Sequence, residues 1–223
     1  MKKITIIFCL ATSVISFAQN WGSGGDTFES DRLRSILSKK TVQYNEVEGS
    51  VYLNDKFQQA QIKGVEGEWP VRYDAYRDEM EVDKAGEVFV LKKEPEFDEI
   101  KFDKGAKARL VSYKEGNKDV LGYLFLVEKT PSYTLYRRDK VNFKEAKQAS
   151  TPLEIQLASR FVPSSPTYYI QKGDSIYEIA KKGKGLESLF AEGKKEISKC
   201  VKESKLKESE LSSVKAFLNC LPN

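Results

Sequence analysis

The chain has 223 residues, 40% of them apolar and 31% charged, with 37 basic against 33 acidic side chains and a net charge of +4. It contains no histidine, which excludes imidazole acid–base catalysis, Ser-His-Asp and Cys-His nucleophile systems, and His-ligated zinc, copper or iron. So small a net charge gives no support to a nucleic-acid partner.

Residues 1–18 have the layout of a cleavable secretory signal peptide. Lys2 and Lys3 form a positive start, Ile4 to Ala11 an apolar run continued by Val14, Ile15 and Phe17, and Ser16 and Ala18 are the small residues before a cut at Gln19. The run is shorter than the roughly 20 residues of a spanning helix. Cys9 sits inside it behind Ile7 and Phe8, where lipoprotein processing has no use for it. The leader takes two of the 37 basic residues and none of the 33 acids, which leaves residues 19–223 at +2. No second run of spanning length follows, so no transmembrane segment is expected in the mature chain. The expected location is periplasmic or outer-membrane associated.

Residues 19–41 read as a Gly-rich lead-in followed by a short helix, with Phe28, Leu33, Ile36 and Leu37 at helical spacing. Residues 42–149 read as an antiparallel β-domain: short runs rich in Val, Tyr, Phe and Leu alternate with charges, between turns such as Asn54-Asp55, Lys84-Ala85-Gly86 and Glu115-Gly116-Asn117. Val42 to Val47 opens the set, and Ser50 to Leu53 and Phe57 to Val65 continue it. Val120 to Val127 is apolar at successive positions, so it is expected to be a central strand covered on both faces. Residues 150–223 read as a connection, a strand and turn, and a helical tail packed on the sheet. The fold class is therefore mainly β: an antiparallel meander of eight or nine strands forming a sandwich or curled sheet, with a C-terminal helical tail.

With Cys9 gone, Cys200 and Cys220 remain, and an oxidising compartment favours a bond between them. A straight helical hairpin turning near Lys205 to Lys207 would leave Cys220 about 10 Å beyond the level of Cys200 at the rise of an α-helix. That exceeds the Cα separation of about 7 Å that a disulfide tolerates. A bond thus predicts a chain that bends back after Phe217 or Leu218.

Asp74, Asp78, Glu79, Glu81 and Asp83 cluster without the loop of a calcium site, and the interleaved Arg72, Arg77 and Lys84 make them read as a solvated hairpin. The lysines between Lys194 and Lys207 read as a solvated helix face rather than an anionic-surface patch. Gly22 to Gly25 and Gly183 to Gly185 lack the order of a phosphate-binding loop. No cofactor and no catalytic or metal-ligating residue is expected.

Tyr168-Tyr169-Ile170-Gln171-Lys172-Gly173-Asp174-Ser175-Ile176-Tyr177-Glu178-Ile179-Ala180 resembles the opening of a LysM module. The resemblance implies peptidoglycan or a related glycan as ligand, Gly173, Asp174, Ser175 and Tyr177 as contact candidates, and a helix beginning at Ile176. The closing strand of that family has no counterpart in residues 194–206, which run with helical periodicity. As a whole the chain also resembles a group of secreted proteins of Bacteroidetes-type bacteria, through Glu48 to Asp55, Val71 to Glu81 and the tail from Leu189 to Lys207. This implies an exported β-rich protein without naming an activity. The expected function is a noncatalytic envelope protein that binds a protein partner or serves as an assembly subunit. A peptidoglycan or polysaccharide binder is the alternative, and an Asp/Glu-dependent hydrolase comes third.

Overall fold

A computed structural model describes residues 35–40, 47–116, 118–147, 157–186 and 193–221. The leader, most of the Gly-rich lead-in and the run Val42 to Glu46 lie outside the described residues.

Among the described residues thirteen strands are formed: β1 (Leu37–Lys39), β2 (Gln58–Ile62), β3 (Trp69–Asp74), β4 (Glu79–Lys84), β5 (Glu87–Leu91), β6 (Glu99–Phe102), β7 (Lys107–Glu115), β8 (Lys118–Lys129), β9 (Thr134–Arg138), β10 (Val141–Lys144), β11 (Arg160–Pro163), β12 (Thr167–Lys172) and β13 (Ser175–Glu178). Eleven of them make one curled antiparallel sheet in the order β1-β5-β4-β3-β2-β6-β7-β8-β9-β12-β13, and β10 pairs with β11 beside it. The mainly-β architecture therefore holds, with a larger sheet than the sequence predicts. Leu37–Lys39, expected in the N-terminal helix, pairs instead with Phe89 to Leu91 of β5. Ser50 to Leu53 forms no strand, only a bridge from Tyr52 to Asp74. Ala85 and Gly86 both have positive φ (54° and 83°), which closes β4 onto β5 in the two-residue turn whose twist suits a hairpin.

Alternation along β7 and β8 divides the core between the two faces of the sheet. Ala108, Leu110 and Tyr123 join Ile62, Val71, Met80, Val82 and Ile100 on one face. Tyr113 and Leu124 join Tyr136 and Tyr169 on the other. Farther along, the first face is covered by the tail, where Leu135, Tyr168 and Ile170 meet Ile197, Val214, Phe217 and Leu218. Tyr123 and Leu124 are both fully buried, as a strand covered on both faces requires.

The tail forms α1 (Gly193–Ser204) and α2 (Leu211–Cys220). Lys205 takes a positive φ of 49°, its N–H donates to the Lys202 carbonyl and the Leu206 N–H to the Val201 carbonyl, an αL stop that satisfies the last turn of α1. Cys200 and Cys220 are bonded with Cα atoms 5.5 Å apart. The bend expected after Phe217 is absent, because α2 runs unbroken to Cys220. The residues 205–210 between the helices supply the offset instead: they delay the start of α2, so a straight helix brings Cys220 level with Cys200. Among the described residues no helix is long and apolar enough to cross a membrane.

Candidate functional site

Three of the five acidic residues of the hairpin are buried rather than solvated, and Glu79 and Asp83 are partly exposed. Asp74 and Glu81 are completely buried and Asp78 is 6% exposed. Glu81 accepts from Arg72 at 2.8 Å and from the Tyr52 hydroxyl at 3.0 Å, and pairs with Lys40. The Arg72 guanidinium lies between the Tyr52 and Phe57 rings, 4.0 and 4.3 Å from their centroids. Asp74 accepts the N–H groups of Tyr76 and Arg77 at 2.9 Å, and burial raises its pKa above the usual carboxylate value. Each carboxylate thus answers a local backbone or charge requirement, and a buried carboxylate needs such partners.

Asp78 has a more particular task. β9 ends at Arg138, so the outer edge of β8 beyond Leu124 has no strand beside it. There the Tyr123 N–H donates to Asp78 at 3.1 Å, while Lys93 bridges Asp78 at 2.8 Å and the Leu121 carbonyl at 3.2 Å. Two side chains stand in for the missing strand. Gly122 makes room for this arrangement, since a Cβ there would lie 3.0 Å from the Tyr113 hydroxyl and closer still to the Asp78 carboxylate. Among the described residues no group of three or more His, Cys, Asp or Glu side chains is placed to hold a metal ion.

A concave feature lies where the sheet curls back on itself. β7, β8, β9, β12 and β13 form five sides of a barrel, and β13 returns to within 8 Å of β7 between Cα atoms. Five antiparallel strands is an odd number, so the two that meet at the seam run parallel, and among the described residues no backbone hydrogen bond joins them. β6 covers β7 only as far as Arg109, with the Leu110 N–H closing on the Asp98 carbonyl. Beyond that point the backbone groups of Ser112 and Lys114 face the seam. On β13 the Ile179 N–H reaches the Tyr168 carbonyl of β12, so Ser175 and Tyr177 point the same way while the backbone groups of Ile176 and Glu178 face outward. Two open strand edges thus oppose one another.

A cleft of about 600 Å³ follows this seam. Ser112, Lys114, Ile176 and Glu178 form its sides, and Asp119 and Lys184 also line it. Beneath it Tyr113 and Tyr169 meet edge to face, 4.9 Å between centroids. Arg138 reaches the same interior, with its guanidinium 5.4 Å from the Tyr113 ring and 2.9 Å from Glu115. Burial and then the nearby Glu115 charge raise the pKa of Glu178. Burial also acts to raise that of Glu115, but the hydrogen bonds from Arg138 and Lys140 outweigh it and hold Glu115 below its usual value.

Of the four glycan candidates, Asp174, Ser175 and Tyr177 line this cleft. Gly173, at φ 61°, is the first residue of the two-residue turn between β12 and β13. The helix expected from Ile176 is not formed: Ser175–Glu178 is a strand, and Asp174 and Ser175 cap nothing. Sequence reasoning singled out the β13 wall and missed the β7 wall, Ser112 and Lys114, whose composition carries no signal of its own. The Cys200–Cys220 bond lies in the tail, in the apolar cluster against which Tyr177 also packs. No known protein family, curated protein or solved structure matches the chain.

Proposed function

We propose that the chain is an exported, noncatalytic envelope protein that works by holding another macromolecule, and that the seam cleft is where it does so. The observation that carries this reading is the pair of open strand edges on β7 and β13. Unpaired edge N–H and C=O groups beside a cleft are what an extended partner segment uses when it adds to a sheet, with side-chain pockets selecting the sequence. This favours a protein partner and an assembly role.

The second reading, a peptidoglycan or polysaccharide ligand, is favoured by Asp174, Ser175 and Tyr177 lining the same cleft. Carboxylate and hydroxyl groups suit the hydroxyls of a sugar.

Crosslinking of intact envelopes, followed by capture of this chain and identification of crosslinked residues, tests the proposal. A partner attached near Ser112 or Ile176 supports it, and partners attached only elsewhere overturn it. Sedimentation with purified cell wall separates the readings. The glycan reading expects wild type to pellet and Asp174→Ala to stay in solution, whereas the protein reading expects neither to pellet.

A further inference from the structure

The chain carries a net charge of +4, yet residues 181–207 alone hold nine lysines against four glutamates. The rest of the molecule is therefore close to neutral, and the excess positive charge is concentrated in the tail. At 100° per residue, Lys195, Lys199 and Lys202 of α1 fall within about 60° of one another. They are exposed, and they lie opposite the buried Ile197 and Cys200. Glu196 and Glu203 fall on the flank nearest α2, where a Glu203 carboxylate oxygen sits 3.4 Å from the Cys220 sulfur.

The other flank of α1 is also basic. A Cβ on Gly183 would lie 2.9 Å from Ile197 and 3.2 Å from Val201, so the turn that holds Gly183 rests directly against the helix. From that turn Lys181, Lys182 and Lys184 reach solvent. Among the described residues none of these six lysines has a carboxylate within 4.0 Å, in contrast to Lys207, which pairs with Glu210.

We propose that this face of α1 and the adjoining turn docks onto an anionic phospholipid surface. The lysines radiate from a convex helix rather than converging on a point, which suits many separate phosphates in a plane and not one bound anion. Among the described residues no exposed large apolar side chain lies beside them, and attachment is electrostatic, falling as salt screens it. The disulfide holds α2 against the opposite flank and keeps the acidic residues turned away from the surface. This inference is independent of the seam cleft.

Residues 19–223 are sedimented with phosphatidylcholine vesicles, with and without phosphatidylglycerol, at low salt and at about 0.5 M salt. Binding is expected only to the anionic vesicles at low salt. Lys195→Glu/Lys199→Glu/Lys202→Glu is expected to weaken it by about tenfold or more while melting like wild type. The same three charge reversals at the exposed positions Lys104, Lys107 and Lys118, in and between the strands, serve as the control for net charge. Absence of wild-type binding, equal loss in both triple variants, or capture by soluble polyphosphate without capture by vesicles would each overturn the proposal.

Discussion

Gly122 shows how much a single missing side chain decides. Its position lets the Asp78 carboxylate approach the edge of β8 and leaves the Tyr113 hydroxyl 3.0 Å from where a Cβ would stand. Both neighbours are buried, at 6% and 3% exposure, so neither can move without losing contacts. Gly122→Ala is expected to destabilise the fold by about 1–3 kcal/mol, the usual range for overpacking; unfolding by denaturant measures it, and an unchanged midpoint contradicts the packing described. The carboxylates set a pH dependence. Burial raises the pKa values of Asp74, Glu79 and Glu178. A group raised in the folded state stabilises it fully below its unfolded pKa and loses that contribution as pH rises through the folded value. For Asp98 burial acts upward, but the hydrogen bonds from Lys63 and Arg109 outweigh it and lower the pKa, as Arg138 and Lys140 do for Glu115. These two stabilise the fold above their unfolded values of 3.8 and 4.5 and lose the contribution as pH falls below. Melting temperature should therefore peak on the acid side of neutral. Glu178→Gln should melt higher than wild type at pH 7, with the gain vanishing below about pH 4.5; a pH-independent difference would contradict the assignment.

At the scale of the element, the tail depends on a staple as well as on packing. The disulfide joins residues 20 apart in sequence, and closing a loop of that length stabilises by about 3 kcal/mol. Thiol labelling of the unfolded, nonreduced mature chain should find no free thiol. Reduction should loosen α1 and α2 first, read as a fall in helical signal at temperatures where the sheet persists; loss of both together would make the tail inseparable from the sheet. The helical pattern of the tail was legible in its sequence because Ile197, Val201, Val214, Phe217 and Leu218 recur at helical spacing. β13 was not. Ile176, Tyr177 and Ile179 suit either period, and the strand wins because Ile176 faces the barrel interior while Tyr177 and Ile179 face the tail.

For the whole molecule, export is the property on which the proposed function depends. Envelope material should yield a chain whose first residue is Gln19, and recovery of Met1 from that fraction would contradict cleavage. The two proposed surfaces divide the work by chemistry: the cleft offers backbone edges and mixed polar groups, and the α1 face offers charge. Lys184 belongs to both, so a partner in the cleft lies beside the basic surface. Charge reversal on α1 should therefore change membrane attachment without removing partner capture.

The sequence by itself determined the β-rich class, the doubly buried centre of β8, the turn that closes β4 onto β5 and the availability of Cys200 and Cys220. Each of these is encoded locally, in a run, a period or a turn residue. Only the tertiary structure decided that acidic residues of the hairpin are buried, because Glu81 finds Lys40 and Tyr52 far away in sequence and Asp78 finds the edge of β8. It likewise decided that Ser112 and Ile176 share a cleft, since that depends on how many strands separate them and how far the sheet curls. A charged residue looks the same in sequence whether it will face water or a buried partner, and curvature is written in no single strand.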